Sequence, residues 1–202
     1  MTTHAESTAG SRRHWFVRLL IRIVDVTHVT PNVLTIIGFM GVVASAGLII
    51  AEWWWAAFFV YLGTALGDSL DGTLARYQGT DSEFGAFLDS TLDRAADGVT
   101  LGAFAVVFAE RDEPVMVAIT VIALIATFII SYARSRAETL GVNDASAGLM
   151  ERTERLVLLG PAIVMGGLEM VPEAIIATLA ALSIITAFDR VANVRRALAE
   201  RT

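Results

Sequence analysis

Residues 68–93 read DSLDGTLARYQGTDSEFGAFLDSTLD, and this stretch decides the fold. Asp68 and Asp71 are three apart and so share one helix face, while Asp89, Asp93 and Asp97 follow one another at steps of four. The runs on either side are strongly apolar, which makes both acidic stripes parts of membrane helices. An aspartate at the centre of a bilayer costs about 2.5–3.5 kcal/mol on insertion scales, so four uncompensated ones would cost about 10–14 kcal/mol. They must therefore face a polar cavity near the inner leaflet and have cationic partners. Carboxylates that converge with few other ligand types suit a hard cation such as Mg²⁺ or Mn²⁺. No histidine lies in these two helices, which argues against zinc. The short connection between the stripes predicts that the two helices pack antiparallel, so that their acidic faces meet.

Outward from that stretch the chain reads as an all-α membrane protein with six transmembrane helices. Of 202 residues, 55% are hydrophobic and 18% charged, outside the range of soluble domains. Thr30-Pro31 reads as an N-cap followed by proline at the first helical position. A charge-free span follows over 32–51, with Trp53-Trp54-Trp55 as an interfacial anchor. The second span runs to about Tyr77. Thr80 and Glu83 have capping-box spacing and put the next start near Ser82, with the helix reaching about Ala109. The fourth span begins near Pro114 and ends past Arg136, the fifth covers 154–170, and the sixth runs from Pro172 into Arg195-Arg196. Residues 1–11 read as a disordered tail without the pattern of a signal peptide. Over 12–28, Trp15, Phe16, Leu19, Leu20, Ile23 and Val24 oppose a polar strip of Arg18, Arg22 and Asp25. This is the pattern of an amphipathic helix lying in the interface, and it opens the domain spanning 12–202.

With the N-terminus in the cytoplasm, Arg111 alone among the arginines falls outside. The positive-inside rule therefore predicts both termini on the cytoplasmic side of the cell membrane. The chain has no cysteine and no lysine, which removes thiol and Schiff-base chemistry. Its net charge of −6 argues against a nucleic-acid binder.

The pattern Asp68-x-x-Asp71-Gly72-x-x-Ala75-Arg76, eight residues, then Gly85-x-x-x-Asp89-x-x-x-Asp93 resembles the signature of the CDP-alcohol phosphotransferase family at every position. The resemblance implies transfer of a substituted phosphoryl group from a CDP-linked alcohol to a second alcohol, with release of CMP. It implies that Asp68, Asp71 and Asp89 ligate metal, that Asp93 completes a two-ion Mg²⁺ or Mn²⁺ site or acts as base, and that Asp93 deprotonates the acceptor hydroxyl. Gly72, Ala75 and Gly85 would line the nucleotide pocket and Arg76 would hold the diphosphate, with Asn32 and Thr35 approaching the CDP moiety. A homodimer is also implied.

Arg134, Arg155 and Arg190 are placed to converge above the acids and to grip an acceptor phosphate through charge-assisted hydrogen bonds. The stretches ISYARSRAE at 130–138 and ERTERL at 151–156, with Asp97-Gly98, resemble the branch that makes phosphatidylinositol phosphate. That branch often has lysine where Arg134 stands. The implied partners are CDP-diacylglycerol or CDP-archaeol and inositol 1-phosphate. The sibling reading is phosphatidylglycerophosphate synthase with glycerol 3-phosphate as acceptor. From a different class, intramembrane acids also mark cation channels and transporters, but here every acid lies towards the inner half.

Overall fold

A computed structural model describes residues 30–78, 82–142, 150 and 152–201, with the backbone alone over 68–78. The tail at 1–11 and the interfacial helix at 12–28 lie outside the described residues, as does Thr80 of the expected capping box. The described chain is helical: α1 (Pro31–Ile50), α2 (Trp54–Gln78), α3 (Glu83–Glu110), α4 (Pro114–Thr139), α5 (Arg152–Val164) and α6 (Val171–Ala199). Three starts carry proline in the first turn, at Pro31, Pro114 and Pro172, where its missing N–H costs nothing. Ser82 caps α3 by accepting a hydrogen bond from the Gly85 N–H at 3.0 Å.

Helix packing closes a ring in the order α1, α2, α5, α6, α4, α3 and back to α1. α1 thus lies between α2 and α3, which scarcely touch each other among the described residues. The side chains of Asp68 and Asp71, on which the expected meeting of the two acidic faces turns, lie outside the described residues. Small residues account for the close approach of α1. A side chain at Gly41 would collide with the Thr64 methyl, and Ser45 Oγ donates to the Ala57 carbonyl at 2.8 Å. Membrane helices pack through such residues because lipid offers no hydrophobic drive for association. Inside the ring, Phe104 and Phe108 of α3 pack with Ile49, Leu159, Ile163, Ile176 and Leu179. Outside it, Ile36, Ile37, Met40, Phe59, Ile125 and Phe188 are exposed, as lipid-facing side chains are.

α1, α4 and α6 are long and apolar enough to cross a membrane. α2 is apolar over Trp54–Gly67, ahead of the acidic stretch that opens at Asp68. α5 differs from expectation. It spans 13 residues, about 20 Å at 1.5 Å per residue, and gives way to turns at Met165 instead of running to residue 170. Gly166 and Gly167 follow, and a side chain at Gly166 would strike the Trp54 ring of α2.

The three turns at the end of the bundle away from the acids share one device. Each holds a residue with positive φ, Glu52 at 56°, Asp112 at 59° and Met170 at 65°. Arg111 ties them together. Its guanidinium lies 3.3 Å from Glu52 and 3.7 Å from Glu173, donates to the Gly166 carbonyl at 3.0 Å and stacks 5.5 Å over the Trp54 ring. Trp53 and Trp55 flank it, both about two-thirds exposed.

Candidate active site

α3 positions the acids. Its four-residue spacing sets Asp89, Asp93 and Asp97 in a line along one face, and Arg152 and Arg155, three apart at the start of α5, reach that face with their side chains. Two ion pairs form side by side. Arg152 Nη2 stands 2.6 Å from Asp93 Oδ1, and Arg155 Nη2 stands 3.0 Å from Asp97 Oδ2. Arg94 lies 3.6 Å from both carboxylates. The Asp93 and Asp97 side chains are each 12% exposed, yet Arg152 is 34% exposed and Arg155 only 3%. One pair is open to the site and the other is sealed in the fold. The sealed one is braced: Arg155 Nη1 donates to the Met150 carbonyl at 3.4 Å, and the Met150 N–H donates to Thr186 Oγ1 at 3.1 Å.

Two cavities meet at the open pair. A polar one of about 860 Å³ is lined by Asp89, Asp93, Arg94, Arg134, Arg152, Arg155 and Arg190, with Ser131 and Tyr132. A largely apolar one of about 370 Å³ runs between α1, α2 and α3 past Leu34, Thr35, Ile37, Val60, Tyr61 and Gly67 to Asp93, Asp97 and Arg152. Asp93 and Arg152 line both.

The three arginines singled out in the sequence are all on the wall of the polar cavity, in different circumstances. Arg190 is buried and donates to the Ile130 carbonyl at 3.0 Å. Arg155 is committed to Asp97. Arg134 is half-exposed and pairs with Glu138 at 3.1 Å, one turn along α4. Arg152 received no role from the sequence. Its spacing from Arg155 is legible, but which of the two meets Asp93 depends on where α5 starts relative to α3. Arg94 was passed over in the same way.

On the donor side, Asn32 sits against Gly85, where an added Cβ would come within 3.0 Å of Asn32 Oδ1 and of Ser82 Oγ. Thr35 lines the apolar cavity and donates to the Pro31 carbonyl at 3.1 Å. Asp68, Asp71, Gly72, Ala75 and Arg76 lie on the last turns of α2, and their side chains fall outside the described residues. Among the described residues no cluster of three or more acidic or histidine side chains forms. The described part of the donor set is Asp89 and Asp93, all carboxylate oxygen one helical turn apart, and this fits a hard divalent ion.

Comparison with known proteins gives a consistent result. The family model for CDP-alcohol phosphatidyltransferase matches residues 28–191. The phosphatidylinositol phosphate synthase of Streptomyces avermitilis is 38% identical over 183 residues, covering 85% of this chain and 75% of its own. The archaetidylinositol phosphate synthase of Pyrococcus horikoshii is 39% identical over 132 residues, covering 65% and 67%. Crystal structures of the phosphatidylinositol phosphate synthase of Mycobacterium tuberculosis superpose with 33% identity. The form with CDP-DAG bound has a TM-score of 0.79 over 88% of this chain and 92% of that one. The form with manganese and citrate has a TM-score of 0.80 over 88% of each.

Proposed function

We propose a function from one premise: this chain belongs to the CDP-alcohol phosphatidyltransferase family. It is a membrane phospholipid synthase that transfers a phosphatidyl, or archaetidyl, group from a CDP-activated lipid to inositol 1-phosphate and releases CMP. The observation that carries this reading is the meeting of an arginine-rich polar cavity and an apolar cavity at Asp93 and Arg152. A phosphorylated, water-soluble acceptor suits the first and a lipid suits the second, and the reacting groups would meet between them.

In this reading Arg134, Arg152 and Arg190 hold the acceptor phosphate, and Arg155, fixed by Asp97, keeps α5 in place. Asn32, Thr35, Gly72, Ala75, Arg76 and Gly85 hold the CDP end of the lipid. Asp68, Asp71, Asp89 and Asp93 would hold a divalent ion or a pair of them, Mg²⁺ or Mn²⁺. Bound there, such an ion stabilises the charge that develops on the departing CMP phosphate. The acceptor hydroxyl oxygen bonds to the lipid-linked phosphorus while the bond from that phosphorus to the CMP oxygen breaks, and Asp93 takes the hydroxyl proton. Arg152 moves from the Asp93 carboxylate to the acceptor phosphate as the acceptor binds, which leaves the carboxylate free to take the proton.

Six membrane crossings, both termini in the cytoplasm, residence in the cell membrane and a homodimer complete the reading. The arginine distribution supports the orientation. The family resemblance supports the dimer. The test is an acceptor panel with purified protein, CDP-diacylglycerol and Mg²⁺, following CMP release with inositol 1-phosphate, inositol, glycerol 3-phosphate or serine. Release that depends on inositol 1-phosphate is expected. Preference for glycerol 3-phosphate would transfer the chain to the sibling activity, and use of free inositol would remove the acceptor-phosphate pocket.

A further inference from the structure

The wall of the apolar cavity carries an unsatisfied hydroxyl. Tyr61 is 5% exposed, lines the cavity, and its phenol has no hydrogen-bond partner among the described residues. Buried polar groups without partners are rare, and each calls for an explanation. The surroundings offer little to the phenol. Leu34, Ile37 and Val60 are hydrocarbon, and Asp97 Oδ2 at the polar end is already held by Arg155. The groove is also unfilled by the protein: beyond Gly38, Gly63 and Gly67 there is open space where a side chain would stand. Its α1 wall continues into exposed Ile36, Ile37 and Met40, so hydrocarbon chains have access from the membrane.

The occupant that this wall fits is a lipid with a hydrogen-bond acceptor at the level of Tyr61. Tyr61 precedes Asp68 by seven residues, about 10 Å along α2. That puts the phenol beyond the reacting phosphates, on the side where the glycerol backbone gives way to the chains. Donor lipids of the two classes differ there. A diacyl lipid offers ester carbonyl oxygens, which are strong and accessible acceptors. A dialkyl lipid offers only ether oxygens, weaker acceptors screened by the methylenes on either side.

We propose that Tyr61 donates its hydroxyl to an ester carbonyl of the CDP-activated lipid and thereby selects diacyl over dialkyl donors. The proposal rests on the reading of this cavity as the donor site. It is tested with CDP-diacylglycerol and CDP-dialkylglycerol of matched chain length, on the full-length wild type and Tyr61→Phe in nanodiscs. Binding is read by displacement of a fluorescent CDP-lipid and turnover by CMP release. The wild type should bind the diacyl donor about five- to thirtyfold more tightly, the worth of one hydrogen bond to a buried carbonyl. Tyr61→Phe should lose that preference by weakening the diacyl donor alone. Equal affinities in the wild type, a dialkyl preference, or an equal loss for both lipids in the variant would overturn the role of Tyr61 and leave the enzyme reading intact. Failure of both lipids to bind would overturn the donor-site reading itself. The wild-type comparison needs no variant to fold.

Discussion

Arg152 reaches across from α5 to Asp93 on α3 at 2.6 Å, at the point where the two cavities join. Asp93, which we propose as the base, is therefore held by a cation that lines both cavities. Because the Arg152 side chain is one-third exposed, it can exchange this partner for an arriving phosphate without unburying a charge. In the proposed mechanism, binding of the acceptor and release of the Asp93 carboxylate are one event.

Replacing Arg152 with Ala should remove charge-assisted hydrogen bonds worth about 1.5–3 kcal/mol. Acceptor KM should rise about 10–150-fold, while the KM for the CDP-lipid stays within a factor of about two or three of wild type. Arg152→Lys should recover part of the loss. Initial-rate kinetics with each substrate varied in turn decide the matter. A fall in turnover at unchanged KM would assign Arg152 to the transition state.

Asp93→Asn keeps the shape of the side chain and removes its charge and basicity. Turnover should fall about 10²–10⁴-fold, the usual worth of a general base, with CDP-lipid still bound. Single-turnover measurement of CMP release reads this directly. Near-normal turnover would move the base to another group or to solvent.

The two arginine–carboxylate pairs at the polar cavity's edge should differ sharply in stability. Arg155→Ala leaves the buried Asp97 with Arg94 alone, at 3.6 Å, and breaking a buried pair costs up to about 3–5 kcal/mol. Adding Asp97→Ala should return part of that loss. Arg134→Ala breaks a pair whose side chains are 52% and 54% exposed, so its cost should stay within about 0–1 kcal/mol. Thermal unfolding in detergent separates the two, and equal effects would contradict the contrast in burial.

Arg111→Ala should destabilise the protein by about 2–4 kcal/mol, from lost hydrogen bonds to charged groups and a cation–π contact. The activity of the folded fraction should be unchanged, because the residue sits at the opposite end of the bundle from Asp93. Melting curves and activity per folded molecule test both halves of the statement.

The sequence is most legible where one residue type decides the structure. Pro31, Pro114 and Pro172 mark helix starts to within a residue, because proline tolerates the first turn and little else. The acidic spacing at 89, 93 and 97 predicts one face of α3, and the structure has it. Legibility fails where a distant partner decides. The end of α5 is hidden in a continuous apolar run, and what stops it is a pair of glycines packed under Trp54 from another helix. The choice between Arg152 and Arg155 depends on how the start of α5 is placed opposite α3, which no local pattern encodes. The packing of α1 against α2 is hidden too, since it rests on Gly41 and Ser45 meeting Thr64 and Ala57 across the two helices. Tyr61 gave no signal, because an aromatic residue in an apolar helix reads as core until its hydroxyl is seen to lack a partner.

The shortness of α5 sets a depth. Thirteen residues separate Arg152 from the far end of the helix by about 20 Å, against a hydrocarbon layer about 30 Å thick. With the far turns clasped by Arg111, and Trp53 and Trp55 as their interfacial anchor, we expect the start of α5 at Arg152 to lie about 10 Å beneath the opposite headgroup plane. Bilayer thickness thereby becomes a kinetic variable. In a thick membrane the water-soluble acceptor descends further and the donor's phosphates must sink below those of their neighbours, whereas a thin one brings both to the site. Across vesicles of graded acyl length, turnover should pass through an optimum on the thin side of the series, which would make this synthase responsive to the thickness of the membrane it helps to build.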